Sequence, residues 1–146
     1  MKHQLLYLFA LLGILTTGCA KSAKQPPPPP TPSGTFTGQF IYLHRHTSSK
    51  PFDTVKTNIT IKFVTPDFTF SVTPSDSTIH KPSHGVFGVN PPYLVFSDKT
   101  YTTVPPPTIA HLNGYYLYNY DGKTLKMLAY SLDTLALEYN LTKADN

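Results

Sequence analysis

The feature that most constrains the fold is a regular alternation of apolar and polar side chains. In residues 54–64 (TVKTNITIKFV), Val55, Ile59, Ile61 and Phe63 occupy one phase, while Lys56, Asn58, Thr60 and Lys62 occupy the other. Successive side chains of a β-strand point to opposite faces, so this pattern predicts a strand with one buried face. Residues 67–73 (DFTFSVT) show the same period of two.

The alternation recurs along the chain, and turn residues separate the segments. We predict strands at residues 34–46, 54–64, 67–73, 84–90, 92–98, 111–120, 123–130 and 133–142. Asn90-Pro-Pro marks one turn, and Asp121-Gly122 predicts a type I′ hairpin turn with positive φ at both residues. Two Pro-, Ser- and Thr-rich stretches, 74–83 and 99–107, are predicted to be loops that cover one end of the sheet.

Eight strands in sequence order predict an all-β, antiparallel up-and-down meander. The composition agrees, because 10 Tyr and 9 Phe stand beside only 14% charged residues. Closing the meander into an eight-stranded barrel removes both exposed edges, so we predict a closed barrel, with a two-sheet β-sandwich as the alternative. The interior of such a barrel is filled by side chains or holds one small ligand.

The first 18 residues have the layout of an export signal. Lys2 and His3 form a short basic region, and residues 5–15 form an apolar run too short to span a bilayer core comfortably. We therefore predict a signal peptide at residues 1–18. The alternative is a permanent membrane anchor.

The single cysteine follows this run directly. Cys19 comes after Thr16, Thr17 and Gly18, and the stretch resembles the lipobox of bacterial lipoproteins. The resemblance implies that the Cys19 thiol is diacylglycerylated, that the leader is removed, and that the new amino terminus is acylated. Several acyl chains make membrane attachment nearly permanent. Ala20 rather than Asp follows the cysteine, which by the family's sorting rule favours the bacterial outer membrane.

A proline-rich segment links this cysteine to the folded part. Residues 25–32 (QPPPPPTP) favour extended polyproline II structure, which needs no internal hydrogen bonds. We interpret residues 19–33 as the lipidated cysteine and a spacer, and residues 34–146 as the β domain. The alternative is a ligand for a proline-recognising module.

The strand layout resembles the small lipocalin-like lipoproteins of Gram-negative bacteria. The likeness is carried by Gly34-Thr-Phe36, His84-Gly85, Val95-Phe96-Ser-Asp98, Leu112-Asn-Gly114-Tyr-Tyr116, Asp121-Gly122 and Tyr139-Asn-Leu141-Thr-Lys143. It covers the whole β domain and consists of structural positions. It implies a barrel that binds a small apolar molecule.

Aromatic residues are the candidates for ligand binding. We predict Tyr42, Phe70, Tyr116 and Tyr118 at the binding site, because tyrosine offers flat apolar area with a hydroxyl group. The alternative is that the tyrosines are ordinary barrel lining. The many large apolar residues predicted to face inward favour a filled interior.

A histidine pair is the candidate metal site. His44 and His46 are two residues apart, so on a strand they share a face and supply half of a zinc or copper site. The alternative is a solvated strand end. We expect no other cofactor.

Catalysis and nucleic-acid binding find no support in the sequence. Glu138 is the sole glutamate, the aspartates fall at predicted strand ends and turns, and no nucleophile-elbow, metalloprotease or phosphate-binding motif occurs. The net charge of +4 forms no basic stripe that would neutralise phosphates. We therefore expect neither an enzyme nor a nucleic-acid partner.

Two functions fit this sequence. The first is a membrane-tethered lipocalin-like module of the cell envelope that binds a small apolar ligand without catalysis. The second is a structural or protein-interaction lipoprotein with a filled barrel. The expected partners are the membrane, through the lipid anchor, and either the ligand or an envelope protein.

Overall fold

The chain forms a closed barrel of eight antiparallel strands in sequence order, which confirms the predicted fold class. The computed structural model describes residues 30–45, 47, 49–104, 108–131 and 135–145. The strands are β1 (Gly34–His44), β2 (Asp53–Val64), β3 (Thr69–Pro74), β4 (Ser83–Asn90), β5 (Tyr93–Asp98), β6 (Gly114–Tyr120), β7 (Thr124–Tyr130) and β8 (Leu135–Lys143).

The barrel closes between the first and last strands. β1 pairs with β2 on one side and with β8 on the other, where Phe36 lies opposite Lys143. Just beyond this pairing, the Ala144 amide donates to the Thr35 carbonyl at 2.8 Å. Gly38 lies opposite Leu141, and a Cβ atom at Gly38 would collide with the neighbouring backbone carbonyl of β8. Glycine is therefore required for the close approach of these two strands.

Aromatic rings fill much of the interior. Phe63 contacts Phe36 and Phe87 with ring centroids 5.6 and 5.1 Å apart, both edge to face. Phe70 and Phe96 make another such contact at 5.1 Å. The remaining buried apolar residues are Phe40, Ile59, Ile61, Val72, Leu94, Leu112, Tyr116, Tyr118, Tyr120, Leu125, Met127, Tyr139 and Leu141. Each buried side chain of this size stabilises the fold by about 1.5–3 kcal/mol before entropy is subtracted.

The β6–β7 turn differs from the predicted type I′ geometry. Among its residues only Gly122 has positive φ, at 97°. The Asp121 side chain instead accepts hydrogen bonds from the amides of Lys123 and Thr124, at 2.8 and 2.6 Å. These bonds hold the pKa of Asp121 below its usual value. The carboxylate satisfies the turn amides, so the second positive φ is not needed.

Two loops cover one end of the barrel, which we call the mouth; β1 ends there at His44 and β5 ends there at Asp98. We call residues 76–82 and 108–113 the lid. His80 forms a parallel bridge to Ala110, and Leu112 is fully buried. The predicted strand over 111–120 therefore begins later, at Gly114, because the preceding residues belong to the lid.

Candidate functional site

A chain of buried hydrogen bonds lies beneath the lid. His80 Nδ1 is 2.7 Å from the Lys81 carbonyl oxygen, and His80 Nε2 is 2.8 Å from the Tyr139 hydroxyl. A carbonyl can only accept, so Nδ1 carries the proton and donates it. In the neutral ring Nε2 then accepts from the Tyr139 hydroxyl. His80 is 0% exposed, so both ring nitrogens are satisfied without water.

Burial keeps His80 neutral. Desolvation lowers the pKa of His80 to about 4, and the hydrogen bond to the Lys81 carbonyl opposes this shift. The positive charge that His111 can carry lowers the pKa further, while Asp98 raises it. The ring also packs edge-on against Phe40, with centroids 4.8 Å apart. An apolar wall of this kind disfavours the charged imidazolium.

Two tyrosines continue the chain across the barrel. The rings of Tyr116 and Tyr139 meet edge to face at 5.5 Å, and their hydroxyls share a hydrogen bond. The Tyr116 hydroxyl also lies 3.5 Å from the His111 carbonyl oxygen. Burial raises the pKa of Tyr116 to about 12 and that of Tyr139 well above its usual value. Both hydroxyls therefore stay protonated and act as neutral links.

An aspartate–histidine pair lies at the far end of this chain. Asp98 Oδ2 is 2.9 Å from His111 Nδ1, and Asp98 Oδ1 accepts from the amide and hydroxyl of Thr100. Ser83, nearby on β4, is buried, and within the described residues its Oγ has no hydrogen-bond partner. Because that hydroxyl is not bonded to His111, these residues do not form a Ser–His–Asp arrangement.

A small pocket opens at the mouth beside the lid. Its volume is about 170 Å³, and its lining consists of Tyr42, Val55, Thr78, Ile79, Thr108, Ile109 and Ala110. Tyr42 is thus the one predicted ligand residue that reaches this pocket. Phe70, Tyr116 and Tyr118 are buried in the packed interior instead. The structure does not bring the four residues together, and their role in ligand binding stays a prediction.

The predicted histidine pair is only partly visible. His44 ends β1, with its ring 6.0 Å from that of Tyr42, and His46 lies outside the described residues. Among the residues that are described, no group of three or more His, Cys, Asp or Glu side chains could hold a metal ion. The predicted signal peptide, Cys19 and most of the proline-rich segment also lie outside the described residues. The described residues contain no helix long and apolar enough to cross a membrane.

The outside of the barrel carries an apolar surface on one side. We call it the tyrosine face, and it consists of the outward residues Tyr93, Val95, Tyr115, Leu117, Leu128 and Tyr130 of β5–β7. The strand pairing places these side chains in two rows that run across the strands. In one row, Tyr93 pairs with Leu117, and Leu117 pairs with Leu128. The same rows continue onto the outward residues Ala136, Ile41 and Leu43 of β8 and β1. Glu138 is the one charged residue in the two rows.

The tyrosine face is exposed and grooved. Tyr115 and Tyr130 are 66% and 61% exposed, and the Tyr93 and Tyr115 rings meet edge to face at 6.3 Å. A groove of about 430 Å³ runs beside it over β6–β8, with Leu117 and Leu128 among its lining and Asn140 at its polar side. The outer surface of β2 differs, since Lys56, Asn58, Thr60 and Lys62 point outward there. The outer surface of the barrel is therefore apolar over β5–β7 and polar over β2.

The sequence held a signal for this face that the strand predictions did not use. In residues 115–120 and 124–130, Tyr115, Leu117, Leu128 and Tyr130 stand on the outward phase, where polar residues are expected. Apolar residues on both phases of adjacent strands indicate a sheet covered on both sides. The hydrogen bond between His80 and Tyr139 had no such signal, because it joins distant segments.

The fold and geometry define the chain as a small closed up-and-down β-barrel with a covered mouth and one apolar outer side. No family model, curated protein or solved structure matches the sequence or the fold.

Proposed function

We propose that this protein is a lipid-tethered interaction module of the bacterial outer membrane that works through the outside of a filled barrel. In this proposal Cys19 carries the lipid, the proline-rich segment is a spacer, and the β domain binds an envelope protein without catalysis. The observation that carries the proposal is the tyrosine face. Contiguous exposed apolar surface on a small domain is the usual mark of an interaction site.

The composition of the face suits a protein partner. Tyrosines such as Tyr115 and Tyr130 are enriched in protein interfaces, because they offer large, rigid contact area with a hydroxyl group. The polar side of the groove, formed by Asn119, Lys126 and Asn140, supplies a rim around the apolar centre. The ring contacts inside the barrel support the same proposal, since they occupy the space that a lipocalin-type ligand would need.

Site-specific photo-crosslinking in intact cells tests this proposal. A benzophenone amino acid is introduced at Tyr115 or Tyr130, and matched control chains carry it at Lys56 or Thr60 on the polar side of β2. We expect a discrete crosslinked protein from the first two positions and none from the controls. Equal crosslinking from both sides, or none from either, would contradict a specific face.

The membrane anchor has its own test. Cys19→Ala should move the protein into the aqueous phase of a detergent partition and leave the β-rich circular dichroism spectrum unchanged. Partition of the variant into the detergent phase with its leader attached would show a permanent anchor instead.

A second candidate function is small-ligand binding at the mouth. The pocket of about 170 Å³ favours it, because apolar side chains such as Ile79 and Ile109 line it together with the Tyr42 ring. Native mass spectrometry tests it, on protein that is purified gently from the envelope and then released as residues 20–146 by cutting the tether. An extra mass that leaves on denaturation would support a ligand. A bare protein mass would favour the filled, externally binding barrel.

A further inference from the structure

We propose that the lid is an acid-released cover of the barrel mouth, with the side chain of His80 as the group that controls it. This inference does not depend on the tyrosine face, which lies on the outer surface of β5–β7. It concerns the contacts that close one end of the barrel and what a proton does to them.

The second lid segment is attached to the barrel through the His111–Asp98 pair and the buried Leu112, whereas the polar contacts of the first segment, residues 76–82, centre on His80. The Lys81 amide donates to the Ala110 carbonyl at 2.8 Å and joins the two lid segments. His80 Nε2 joins the lid to β8 through the Tyr139 hydroxyl at 2.8 Å. The His80 amide also donates to the Asp76 carbonyl at 3.2 Å, within the first segment. Loss of the His80 ring contact would therefore remove a buried side-chain hydrogen bond from this segment to the barrel wall and leave the apolar contact of Ile79.

A proton on His80 reverses one of these hydrogen bonds. In the neutral ring Nε2 accepts from Tyr139, but in the charged ring both nitrogens must donate. The Tyr139 hydroxyl would then turn toward Tyr116, whose remaining acceptor is the His111 carbonyl at 3.5 Å. That last bond is too long to be strong. The reversed chain of hydrogen bonds is thus weak where it ends at the His111 carbonyl. The positive charge on the His80 ring also faces the apolar Phe40 ring.

The charged groups around His80 compensate that charge only in part. The charged or titratable residues on the lid are Asp76, Lys81 and His111. The Asp76 carboxylate lies at the surface and accepts hydrogen bonds from Thr78. A positive charge on His111 would repel a charged His80 ring. On β5, the Asp98 carboxylate already bonds to His111 and Thr100. Tyr139 on β8 and Tyr116 on β6 complete the surroundings, and both stay neutral because burial raises the pKa of each. Opening the lid places the charged ring in water instead.

The difference in the pKa of His80 between the closed and the open lid determines how strongly pH changes lid opening. Burial lowers the pKa of His80 to about 4 in the closed form, whereas a solvated histidine has its ordinary value. The open form therefore binds the proton at higher pH, and opening becomes more favourable as the pH falls. Between pH 7 and pH 4 the ratio of open to closed lid should rise about 100-fold.

Hydrogen exchange of the mature chain tests the proposal. We would follow amide exchange by mass spectrometry from pH 7 to pH 4, corrected for the intrinsic pH dependence of exchange. His80→Gln is the key variant, because its amide can still donate to the Lys81 carbonyl and accept from Tyr139 without titrating. His84→Gln is the matched control, since it removes an exposed histidine on β4.

The expected result is a rise in exchange of about 100-fold in peptides spanning the lid, while those of β1, β2 and β8 stay protected. His84→Gln should behave like the unmodified chain, and His80→Gln should keep its lid protected at pH 4. Joint loss of protection in lid and strands, an unchanged lid, or equal opening in His80→Gln would overturn the proposal.

A second measurement tests the proposal even if the His80→Gln variant fails to fold. In the unmodified chain labelled with ¹⁵N-histidine, NMR reports the titration of His80 directly. An apparent pKa of His80 well below the ordinary value of a histidine, with lid resonances shifting over the same pH range, is the expected result. Titration of His80 at the ordinary value of a histidine would overturn the proposal.

Discussion

His80 and Tyr139 are 59 positions apart in the sequence, and a 2.8 Å hydrogen bond between Nε2 and the hydroxyl joins their side chains inside the barrel. Both residues are completely buried. The bond fixes a loop to the strand that closes the barrel, so it links the covering of the mouth to the closure of the sheet.

Tyr139→Phe removes this hydroxyl and leaves His80 Nε2 without a donor. A buried polar atom left unpaired costs about 1–3 kcal/mol, so the free energy of unfolding should fall by that amount. Urea denaturation followed by circular dichroism measures it. Tyr115→Phe, at an exposed position on the tyrosine face, is the control and should change the free energy of unfolding very little. Equal effects of the two substitutions would contradict the role of the buried bond.

Stability should fall with acid in a range that His80 determines. The pKa of His80 is about 4 in the folded protein and has the ordinary value of 6.5 when unfolded, so the unfolded chain binds the proton first as the pH falls. Unfolding should therefore become easier below pH 6.5, by about 3 kcal/mol at pH 4 from this group. Denaturation midpoints at several pH values test this. In His80→Gln the free energy of unfolding should depend less on pH. An identical pH dependence in that variant would show that another group causes the acid sensitivity.

Ser83→Ala should leave the protein as stable as before or slightly more stable. The Ser83 hydroxyl is buried and has no hydrogen-bond partner within the described residues, so its removal ends an uncompensated desolvation cost. We expect a change in the free energy of unfolding between zero and about 1 kcal/mol in the stabilising direction. Thermal unfolding measures it. A clear loss of stability would show that the hydroxyl makes a bond to buried water.

Gly38→Ala should weaken the closure of the barrel. A Cβ atom at this position would collide with the Asn140 carbonyl oxygen on β8, and backbone on both sides would have to move apart. We expect a loss of about 3 kcal/mol, as for overpacked interiors. Gly88→Ala is the matched control on β4, because a Cβ there meets nothing within 4 Å. Comparable losses in both variants would indicate a general effect of the added methyl group.

The strands were predictable because their alternation is local. Val55, Ile59, Ile61 and Phe63 were expected on one face of a strand; the last three are buried in the barrel, whereas Val55, at the mouth, is 41% exposed. The order and number of strands followed from the same pattern, since turn residues separate each pair. A two-residue period therefore determined which side of each strand faces inward, and the closed barrel followed from eight such strands in sequence.

The mouth was less predictable because its contacts are between distant segments. His80 stands in a stretch rich in Pro, Ser and Thr, which predicts a loop that covers one end of the barrel but gives no sign that this side chain is completely buried. Its burial results from Tyr139 and the second lid segment, whose positions are known only once the barrel has closed. Asp98 was expected to cap a turn, and it does bond to Thr100. Its pairing with His111 depends on how the second lid segment folds back, which no local pattern encodes.

The closure of β1 on β8 also sets the order in which the chain can be completed. β1 pairs with the neighbouring β2 across a short connection, but its other edge pairs with Leu135–Lys143, which is distant in sequence. Until β8 pairs with β1, an unpaired strand edge and a partly assembled aromatic interior face the solvent. Such edges pair readily with other chains. The pairing of β8 with β1 therefore also protects the barrel against edge-to-edge association.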